Sequence, residues 1–270
     1  MPAAEVVDLQ QQAQRLVEAV REAGALALSM FKTPLKNWTK GEALSPVSDA
    51  DIAVDVSLRE RLTGNNESIA WLSEESADDP VRLEARYVWI VDPIDGTRAY
   101  IAGLPDWAVS AALVENGRPI AACLYAPVSD EFFVAVMGHG ATRNGVAVAA
   151  TAGTELAQAR VAGPKKFLDR LQAIAPPFAV MPRTHSLALR LARIAEGTFD
   201  AAIAGGNSHD WDLAAADLLV HEAGGALTSF EGGTVTYNRP VPRHGMLVAA
   251  GRERHAALLE LFRDERLASL

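Results

Sequence analysis

Cysteine is nearly absent from this sequence, and so are the segments that direct a chain into or across a membrane. Cys123 is the only cysteine, which excludes an intrachain disulfide and a cysteine-rich metal site. The stretch MPAAEVVDLQQQAQ has neither the basic region nor the apolar core of a signal peptide. No apolar run reaches the ~20 residues of a membrane-spanning helix. We therefore expect a cytoplasmic protein with no membrane partner.

Positive charge is also in short supply. Lysine and arginine total 25 against 34 aspartates and glutamates, which leaves a net charge of −9 and a pI near 5.2. Binding to a nucleic acid polymer needs clustered Lys and Arg for the phosphate backbone, so we expect no such partner. The chain has 270 residues, of which 49% are apolar. That is enough for one large domain or two closely packed halves.

Hydrophobic periodicity predicts the first elements. Apolar residues recur at helical spacing from Val6 to Phe31, and a second helix is expected from about Ala50 to Leu62. The polar stretch between them, KTPLKNWTKGEALSP, is punctuated by proline and glycine and is predicted to be a loop. SIAWLS, YVWIV and EFFVAVM predict strands, while Asn116-Gly117 and Asn144-Gly145 predict hairpin turns.

The character of the chain changes after Thr151, where helical and extended segments begin to alternate. The helix WDLAAADLLVHEAGG is expected to stop at its glycines and to lead into the strand ALTSF. This layout predicts an α/β fold of two halves, residues 1–150 and 151–270, with a cleft between them.

Three acidic segments follow predicted strands or open a predicted helix. They are Glu74 and Glu75 in WLSEES, Asp92 and Asp95 in DPIDGT, and Asp212 in HDWDLAAADLLVHEAGG. Each has a simpler explanation, since Asp-Pro and Asp-Gly are common turn formers and an aspartate in a first helical turn is stabilised by the helix dipole. Their conjunction instead favours a site for hard cations, Mg²⁺ or Mn²⁺, because oxygen ligands predominate.

The segments WLSEES, WIVDPIDGT and WDLAAADLLVHEAGG, with Asp92 eighteen residues after Glu74, resemble the signatures of the inositol monophosphatase superfamily. The resemblance covers the chain from the first helix to about Gly225 and implies a layered αβαβα sandwich. It also implies a Mg²⁺-dependent, often lithium-sensitive phosphomonoesterase that uses a metal-activated water and forms no covalent enzyme intermediate.

The resemblance implies which residues hold the ions. Glu74, Asp92 and the backbone carbonyl of Ile94 correspond to ligands of one Mg²⁺. Asp92, Asp95 and Asp212 correspond to ligands of a second, so that Asp92 bridges the two. Two or three Mg²⁺ ions are expected, with Mn²⁺ as a substitute.

Catalytic roles follow from the same resemblance. Thr97 and Glu74 would position the attacking water, and Asp51, in SPVSDAD, matches the acidic residue that hydrogen-bonds the catalytic threonine. Gly96 and Thr97 would donate backbone N–H groups to the phosphate.

The substrate side is expected to include Ser186, Arg190 and His209, together with Asp95 and Asp212. Arg190 lies one helical turn beyond Ser186, where it could meet a second phosphate of the substrate; a surface arginine is the slightly favoured alternative. His209 precedes Trp211-Asp212 on the leaving-group side, and a structural histidine is an equal alternative.

Within the superfamily, LSEE and LVENGRPIAACLYAPV resemble the CysQ-type 3′(2′),5′-bisphosphate nucleotidases. Gly205 stands where animal inositol monophosphatases carry a glutamate that binds inositol hydroxyls, and His185 stands where both groups usually have glycine. The resemblance carried by LSEE and LVENGRPIAACLYAPV makes 3′-phosphoadenosine 5′-phosphate the favoured substrate, and the glycine at 205 weakens the inositol alternative; His185 departs from both groups and favours neither.

Several alternatives stay open. An inositol-1-monophosphatase or a histidinol-phosphate phosphatase of the same superfamily would use the same metal centre. A regulatory or binding protein could use the fold without turnover. Some relatives form homodimers, so a homodimer is compatible with the resemblance.

Overall fold

The computed structural model describes residues 7–40, 45–64 and 69–263. Val6, at which the first helix is predicted to begin, lies outside these ranges. So do residue 1, where the first predicted half begins, and residue 270, where the second ends. The helices are α1 (Leu9–Met30), α2 (Asp49–Thr63), α3 (Thr97–Ile101), α4 (Lys165–Gln172), α5 (Leu187–Ala195), α6 (Asp210–Glu222) and α7 (Arg252–Phe262), with a 3₁₀ turn at Pro80–Glu84.

The strands form two main sheets and two short ribbons. They are β1 (Asn37–Lys40), β2 (Ser45–Ser48), β3 (Ile69–Ser73), β4 (Tyr87–Asp95), β5 (Ala108–Glu115), β6 (Arg118–Ala126), β7 (Glu131–Val136), β8 (Ala141–Arg143), β9 (Val146–Ala147), β10 (Arg160–Ala162), β11 (Ala179–Val180), β12 (Ala201–Ala204), β13 (Ser208–His209), β14 (Gly225–Ser229), β15 (Arg243–His244) and β16 (Leu247–Gly251).

The first main sheet has the order β3-β4-β5-β6-β7-β8-β9, and the second has the order β11-β10-β12-β16-β14. In the first sheet only β3 and β4 run parallel; the other neighbours are antiparallel. Because β3 and β4 are parallel, their carboxyl ends meet at one edge of the sheet. That edge is where the acidic segments of the sequence lie.

Helices and sheets alternate in five layers. Helices α1 and α2 cover one face of the first sheet, α5 and α6 lie between the two sheets, and α4 and α7 cover the outer face of the second. The predicted αβαβα sandwich is therefore confirmed. The last strand of the first sheet ends at Ala147, and the first strand of the second sheet begins at Arg160. Helices α5 and α6 nevertheless pack against both sheets. The division into two halves near residue 150 therefore stays a prediction.

Local sequence explains the first helix. Asp8 caps α1 by accepting hydrogen bonds from the backbone N–H groups of Gln10 and Gln11. Leu16 and residues at helical spacing after it are buried against the first sheet. Gly24 faces the ring of Tyr125, and a side chain there would overlap it. The glycine thus allows close packing of the helix on β6.

Two predicted hairpin turns are confirmed. Asn116 and Gly117 connect β5 to β6 with φ angles of 48° and 79°. Asn144 and Gly145 connect β8 to β9 with φ angles of 50° and 78°. Positive φ at both central residues is what a type I′ turn requires, and asparagine and glycine adopt it with least strain.

The predicted loop between α1 and α2 is partly wrong. Its residues form the antiparallel ribbon β1–β2, in which Trp38 pairs with Val47 and Lys40 with Ser45. The ribbon packs beside α3 and α2. It therefore projects over the edge where β3 and β4 end.

Cys123 is fully buried in β6. Burial raises the pKa of its thiol well above the ordinary value, which disfavours the reactive thiolate. Among the residues that the structure describes, no helix has both the length and the hydropathy needed to cross a membrane.

Candidate active site

The carboxyl ends of β3 and β4 bring the first acidic residues together. Glu74 follows β3 directly, and its backbone N–H donates to the carbonyl of Val91 at 3.2 Å. Asp92 and Asp95 belong to the end of β4, where the pairing with β5 is irregular. This irregularity shifts the register between the two aspartates, so that both can line the same cavity.

Asp212 reaches this edge from α6. Its Oδ2 accepts a 2.7 Å hydrogen bond from the backbone N–H of His209, the residue that caps the helix. Carboxylate oxygens of Glu74, Asp92 and Asp212 lie within 4.8 Å of one another. The structure therefore joins three segments that are far apart in the sequence into one cluster.

Asp95 is oriented by the start of α5. Its Oδ2 accepts 2.6 Å hydrogen bonds from the hydroxyl of Ser186 and from the backbone N–H of Ala188. Ser186 is also the N-cap of α5, accepting from Leu189 N–H at 2.9 Å. Asp95, held in this way by the start of α5, lines a cavity with a volume of about 190 Å³.

The cluster is electrostatically costly by itself. Burial raises the pKa of Glu74 to about 7, with Lys40 opposing and Asp212 adding to the effect. Burial and then the charge of Asp212 raise the pKa of Asp95 to about 7. Burial, followed by the charge of Glu74, raises the pKa of Asp92 well above its ordinary value. Such mutual repulsion is relieved by a cation.

The donor set fits a hard divalent cation. The clustered oxygens of Glu74, Asp92 and Asp212 all belong to carboxylates, and neither cysteine nor histidine is in the cluster. Asp92 is 1% exposed, and its Oδ1 accepts a hydrogen bond from the backbone N–H of Ile94 at 3.1 Å. Oxygen-only coordination suits Mg²⁺ or Mn²⁺ rather than zinc.

Thr97 and Asp51 are in contact. The Thr97 hydroxyl lies 3.0 Å from Asp51 Oδ1 and 3.0 Å from the carbonyl of Ile94. Oδ2 of Asp51 accepts hydrogen bonds of 2.8 Å and 2.6 Å from the backbone N–H and hydroxyl of Ser48, which fixes the carboxylate. Burial raises the pKa of Asp51 in spite of these hydrogen bonds.

Gly96 lies between the last aspartate and α3. Its φ is 97°, in the region that favours glycine. A Cβ there would also lie 3.2 Å from both the carbonyl oxygen of Asp106 and the backbone nitrogen of Ser186. Backbone conformation and close packing therefore both require glycine at this bend, which places Gly96 and Thr97 in the cavity wall.

Lys40 is a site residue that sequence reasoning missed. From the end of β1 its Nζ donates to the carbonyl of Glu74 at 2.9 Å and to Oε1 of Glu75 at 2.6 Å, and lies 3.4 Å from Oε1 of Glu74. Glu75 is thereby paired with Lys40. The predicted loop gave no signal for this contact, because it depends on how the β1–β2 ribbon folds over β3.

The pairing of His185 with Asp106 is a second feature that sequence reasoning missed. Asp106 Oδ2 lies 2.7 Å from both the backbone nitrogen and Nδ1 of His185, and the Asp106 carbonyl accepts from Ser186 N–H at 3.2 Å. The segment that positions Ser186 is thus fixed to the loop after α3. His185 lines the cavity, as do Arg98 and Arg183.

Two residues with open alternatives can now be placed. Arg190 is half-buried rather than on the surface, and its guanidinium donates to the carbonyl of Thr184 at 2.8 Å; the favoured surface alternative was wrong. His209 stacks on Trp211 with ring centroids 4.6 Å apart and planes 3° apart. A contact of His209 with substrate stays a prediction.

A sequence profile described as the inositol monophosphatase family matches residues 8–267. The chain belongs to this family. An inositol monophosphatase from Dictyostelium discoideum is 32% identical over 241 residues, which cover 85% of this chain and 88% of the relative. Family and relatives indicate a phosphatase.

Two further relatives of this chain carry the name SuhB. The Nus factor SuhB of Escherichia coli K12 is 32% identical over 263 residues, covering 92% of this chain and 94% of the relative. The crystal structure of the extragenic suppressor protein SuhB from Bartonella henselae superposes with a TM-score of 0.81 at 28% identity, covering 93% of this chain and 98% of the other.

Proposed function

We propose that this protein is a Mg²⁺-dependent phosphomonoesterase that hydrolyses a small phosphate ester with a metal-activated water. The observation that carries the proposal is the carboxylate cluster of Glu74, Asp92 and Asp212, with Asp95 in the same cavity. Glu74, Asp92 and the Ile94 carbonyl would hold one ion, and Asp92, Asp95 and Asp212 a second. When bound, such ions lower the pKa of a water and neutralise charge on a phosphate.

The chain's own groups would orient the reactants. If Asp51 accepts the hydroxyl hydrogen of Thr97, the lone pairs of the hydroxyl are free to accept a hydrogen bond from the attacking water. Glu74 would accept the other hydrogen of that water. The N–H groups of Gly96 and Thr97 would donate to phosphate oxygens on the opposite side. A water held in this way would face the phosphorus in line with the leaving oxygen.

Replacement of Thr97 by alanine should lower the rate without removing the metal site. The variant loses the hydroxyl that contacts Asp51 but none of the clustered carboxylates. We expect kcat to fall roughly 10²-fold, as for loss of one water-orienting contact. Steady-state phosphate release and Mg²⁺ titration by calorimetry measure the two properties separately.

Thr97→Ser is the matched control, because it keeps the hydroxyl and should keep most of the rate. If Thr97→Ala fails to bind Mg²⁺, the role assigned to the threonine is wrong. If Thr97→Ala is as active as the unchanged protein, the hydroxyl does not orient the water.

Two substrates are supported by different observations. The name of the Dictyostelium discoideum relative, inositol monophosphatase, favours an inositol monophosphate, for which myo-inositol 1-phosphate is the test compound. Sequence resemblance favours 3′-phosphoadenosine 5′-phosphate, and the glycine at 205, where animal inositol monophosphatases carry a glutamate, weakens the inositol alternative. Histidinol phosphate is a third candidate. All three share the ester chemistry that the cluster would serve.

The test is phosphate release with and without Mg²⁺ from these three substrates and from fructose 1,6-bisphosphate. Mg²⁺-dependent release from any of them supports the proposed reaction, and the ratio of kcat/KM values ranks the substrates. The absence of release from all four, with purified folded protein at saturating Mg²⁺, would contradict it.

A non-catalytic regulatory role is the second candidate, favoured by the SuhB relatives, one of which is named a Nus factor. A regulatory protein has no need of a water-orienting threonine. Here Thr97 and Asp51 are in contact beside the carboxylates, which supports turnover. Mg²⁺ binding without hydrolysis in the substrate panel would favour the regulatory role.

A further inference from the structure

A second cavity, of about 660 Å³, adjoins the active-site cavity. Arg183 lines both. The wall of the larger cavity also includes Lys165 and Asp169 of α4, Met181 after β11, and Arg190 of α5. Its volume lies in the range that accommodates a small organic ligand. We refer to it as the arginine cavity.

The arginine cavity carries uncompensated positive charge. Lys165 is neutralised within the cavity wall, since its Nζ lies 3.0 Å from Oδ2 of Asp169. Arg183 and Arg190 remain. In residues 7–40, 45–64 and 69–263, neither guanidinium forms an ion pair with a carboxylate, and that of Arg183 forms no hydrogen bond.

Arg190 is held in place by neutral partners. Its guanidinium donates to the carbonyl of Thr184 at 2.8 Å and lies 3.4 Å from the carbonyl of Ile203. Burial lowers the pKa of Arg190, and the positive charge of Arg183 lowers it further. The negative charge of Asp95 acts in the opposite direction and raises it. Two like charges that line the same cavity repel each other. An anion between Arg183 and Arg190 would relieve this repulsion and would accept hydrogen bonds from their remaining guanidinium N–H groups.

The arginine pair is adjacent to the proposed reaction centre. Ser186 and Ala188 hold Asp95, and the backbone N–H of Arg190 donates to the carbonyl of Ser186 at 3.2 Å. Arg190 is therefore one helical turn, about 5–6 Å, from the residue that binds Asp95. A substrate whose phosphate lies among the carboxylates can reach the arginine cavity with its remaining part.

We propose that Arg183 and Arg190 form a subsite for a second anionic group, a phosphate or a carboxylate, on the leaving-group portion of the substrate. This inference rests on the proposed function and narrows its substrates to esters that carry a second anion. The subsite sets specificity, because the carboxylate cluster by itself treats all phosphate monoesters alike.

The test compares substrates that differ only in the second anion. 3′-Phosphoadenosine 5′-phosphate is paired with adenosine 3′-phosphate, and 2-phosphoglycerate with glycerol 2-phosphate; the first pair probes phosphate and the second carboxylate. In the unchanged protein kcat/KM should favour the doubly anionic member of at least one pair by about 10- to 100-fold, as expected for charged hydrogen bonds. The preferred pair identifies the anion.

Arg183→Gln and Arg190→Gln should reduce that preference about tenfold or more, chiefly through KM. Lys166→Gln is the matched control: Lys166 is an exposed cation of α4 outside the cavity wall, so its loss tests the effect of overall charge. If Arg190→Gln does not fold, the exposed Arg183 still provides the test. An equal loss for both members of a pair, or an equal loss in Lys166→Gln, would overturn the subsite.

Failure of the subsite is distinguishable from failure of the proposed function. Mg²⁺-dependent hydrolysis without preference in either pair overturns the subsite and leaves the phosphatase standing. If nothing is hydrolysed, binding of adenosine 5′-phosphate and of adenosine, measured by calorimetry in EDTA, still tests the subsite. Tighter binding of the phosphate, lost in Arg183→Gln, supports it; equal binding overturns it.

Discussion

Replacement of Asp92 by asparagine is expected to abolish turnover while leaving the fold intact. The side chain is 1% exposed and receives the backbone N–H of Ile94 on Oδ1, a hydrogen bond that asparagine can keep. What the variant loses is the charge that would bridge two ions. We expect kcat/KM to fall at least about 10³-fold, as for loss of a central electrostatic contact.

In EDTA the same variant should be at least as stable as the unchanged protein. Asp92 is repelled by Glu74 and other carboxylates in the metal-free cluster, and the amide removes that repulsion. The melting temperature should therefore stay equal or rise by a few degrees, roughly. Scanning calorimetry with and without Mg²⁺ measures this, and Mg²⁺ should raise the melting temperature less in the variant.

Asp130→Asn is the matched control. Asp130 is exposed with φ of 52°, a conformation that asparagine tolerates, and it accepts a hydrogen bond from the Tyr125 hydroxyl. It should leave activity and Mg²⁺ response unchanged. Near-normal turnover in Asp92→Asn would contradict the two-ion assignment, and an unfolded variant in EDTA would show that the carboxylate serves the fold instead.

The metal-free protein should lose stability as pH rises from about 5 to about 8. The folded-state pKa values of Glu74 and Asp95 are about 7, above the ordinary 4.5 and 3.8. Between the ordinary and the raised value the folded protein binds more protons than the unfolded chain, so the free energy of unfolding falls with rising pH. One pKa unit corresponds to about 1.4 kcal/mol, which makes the total loss a few kcal/mol.

Saturating Mg²⁺ should abolish this loss, because a bound cation favours the ionised carboxylates at high pH. Urea unfolding at several pH values, in EDTA and in Mg²⁺, is the measurement. Asp200 does not contribute between about pH 5 and about pH 8. Burial tends to raise the pKa of Asp200, but hydrogen bonds from Arg160 hold it at about 2, so its effect on stability falls below that pH range.

Glu74→Gln isolates the contribution of the cluster. Histidines also titrate in this window with opposite signs, since the pKa of His221 is raised by Asp217 and that of His255 is lowered by burial. Both histidines are shared by the variant and the unchanged protein, so the difference in slope belongs to Glu74 and to Asp92, whose pKa the charge of Glu74 raises. The variant should show a flatter pH dependence in EDTA. An identical slope would mean that Glu74 does not hold a proton in the metal-free fold.

Local sequence was sufficient for many elements. Asn116-Gly117 and Asn144-Gly145 form hairpin turns because their positive φ angles suit those residues. The helix α6 ends before Gly224, which has a φ of 83°. The helices α1 and α2 follow the apolar periodicity to within a few residues. In each case the determining interaction lies within a few residues along the chain.

The ribbon β1–β2 shows where local sequence was insufficient. Its strands pair as Asn37–Lys40 with Ser45–Ser48, although proline and glycine in that segment favour a loop. Pairing with a neighbouring strand outweighed local preference, as tertiary context often does. The contact of Lys40 with Glu74 and Glu75 followed from that pairing and could not be inferred from composition.

The sequence by itself determined the fold family and the residues proposed to carry the metal chemistry. The motifs around Glu74, Asp92 and Asp212 are contiguous, and a strand end or a helix start presents each acidic side chain at a position that neighbouring residues set. Only the tertiary structure decided what surrounds them: Lys40 over Glu74, and the arginine cavity beside Asp95. Those contacts join residues distant along the chain, so their geometry depends on how the layers pack and not on local preference.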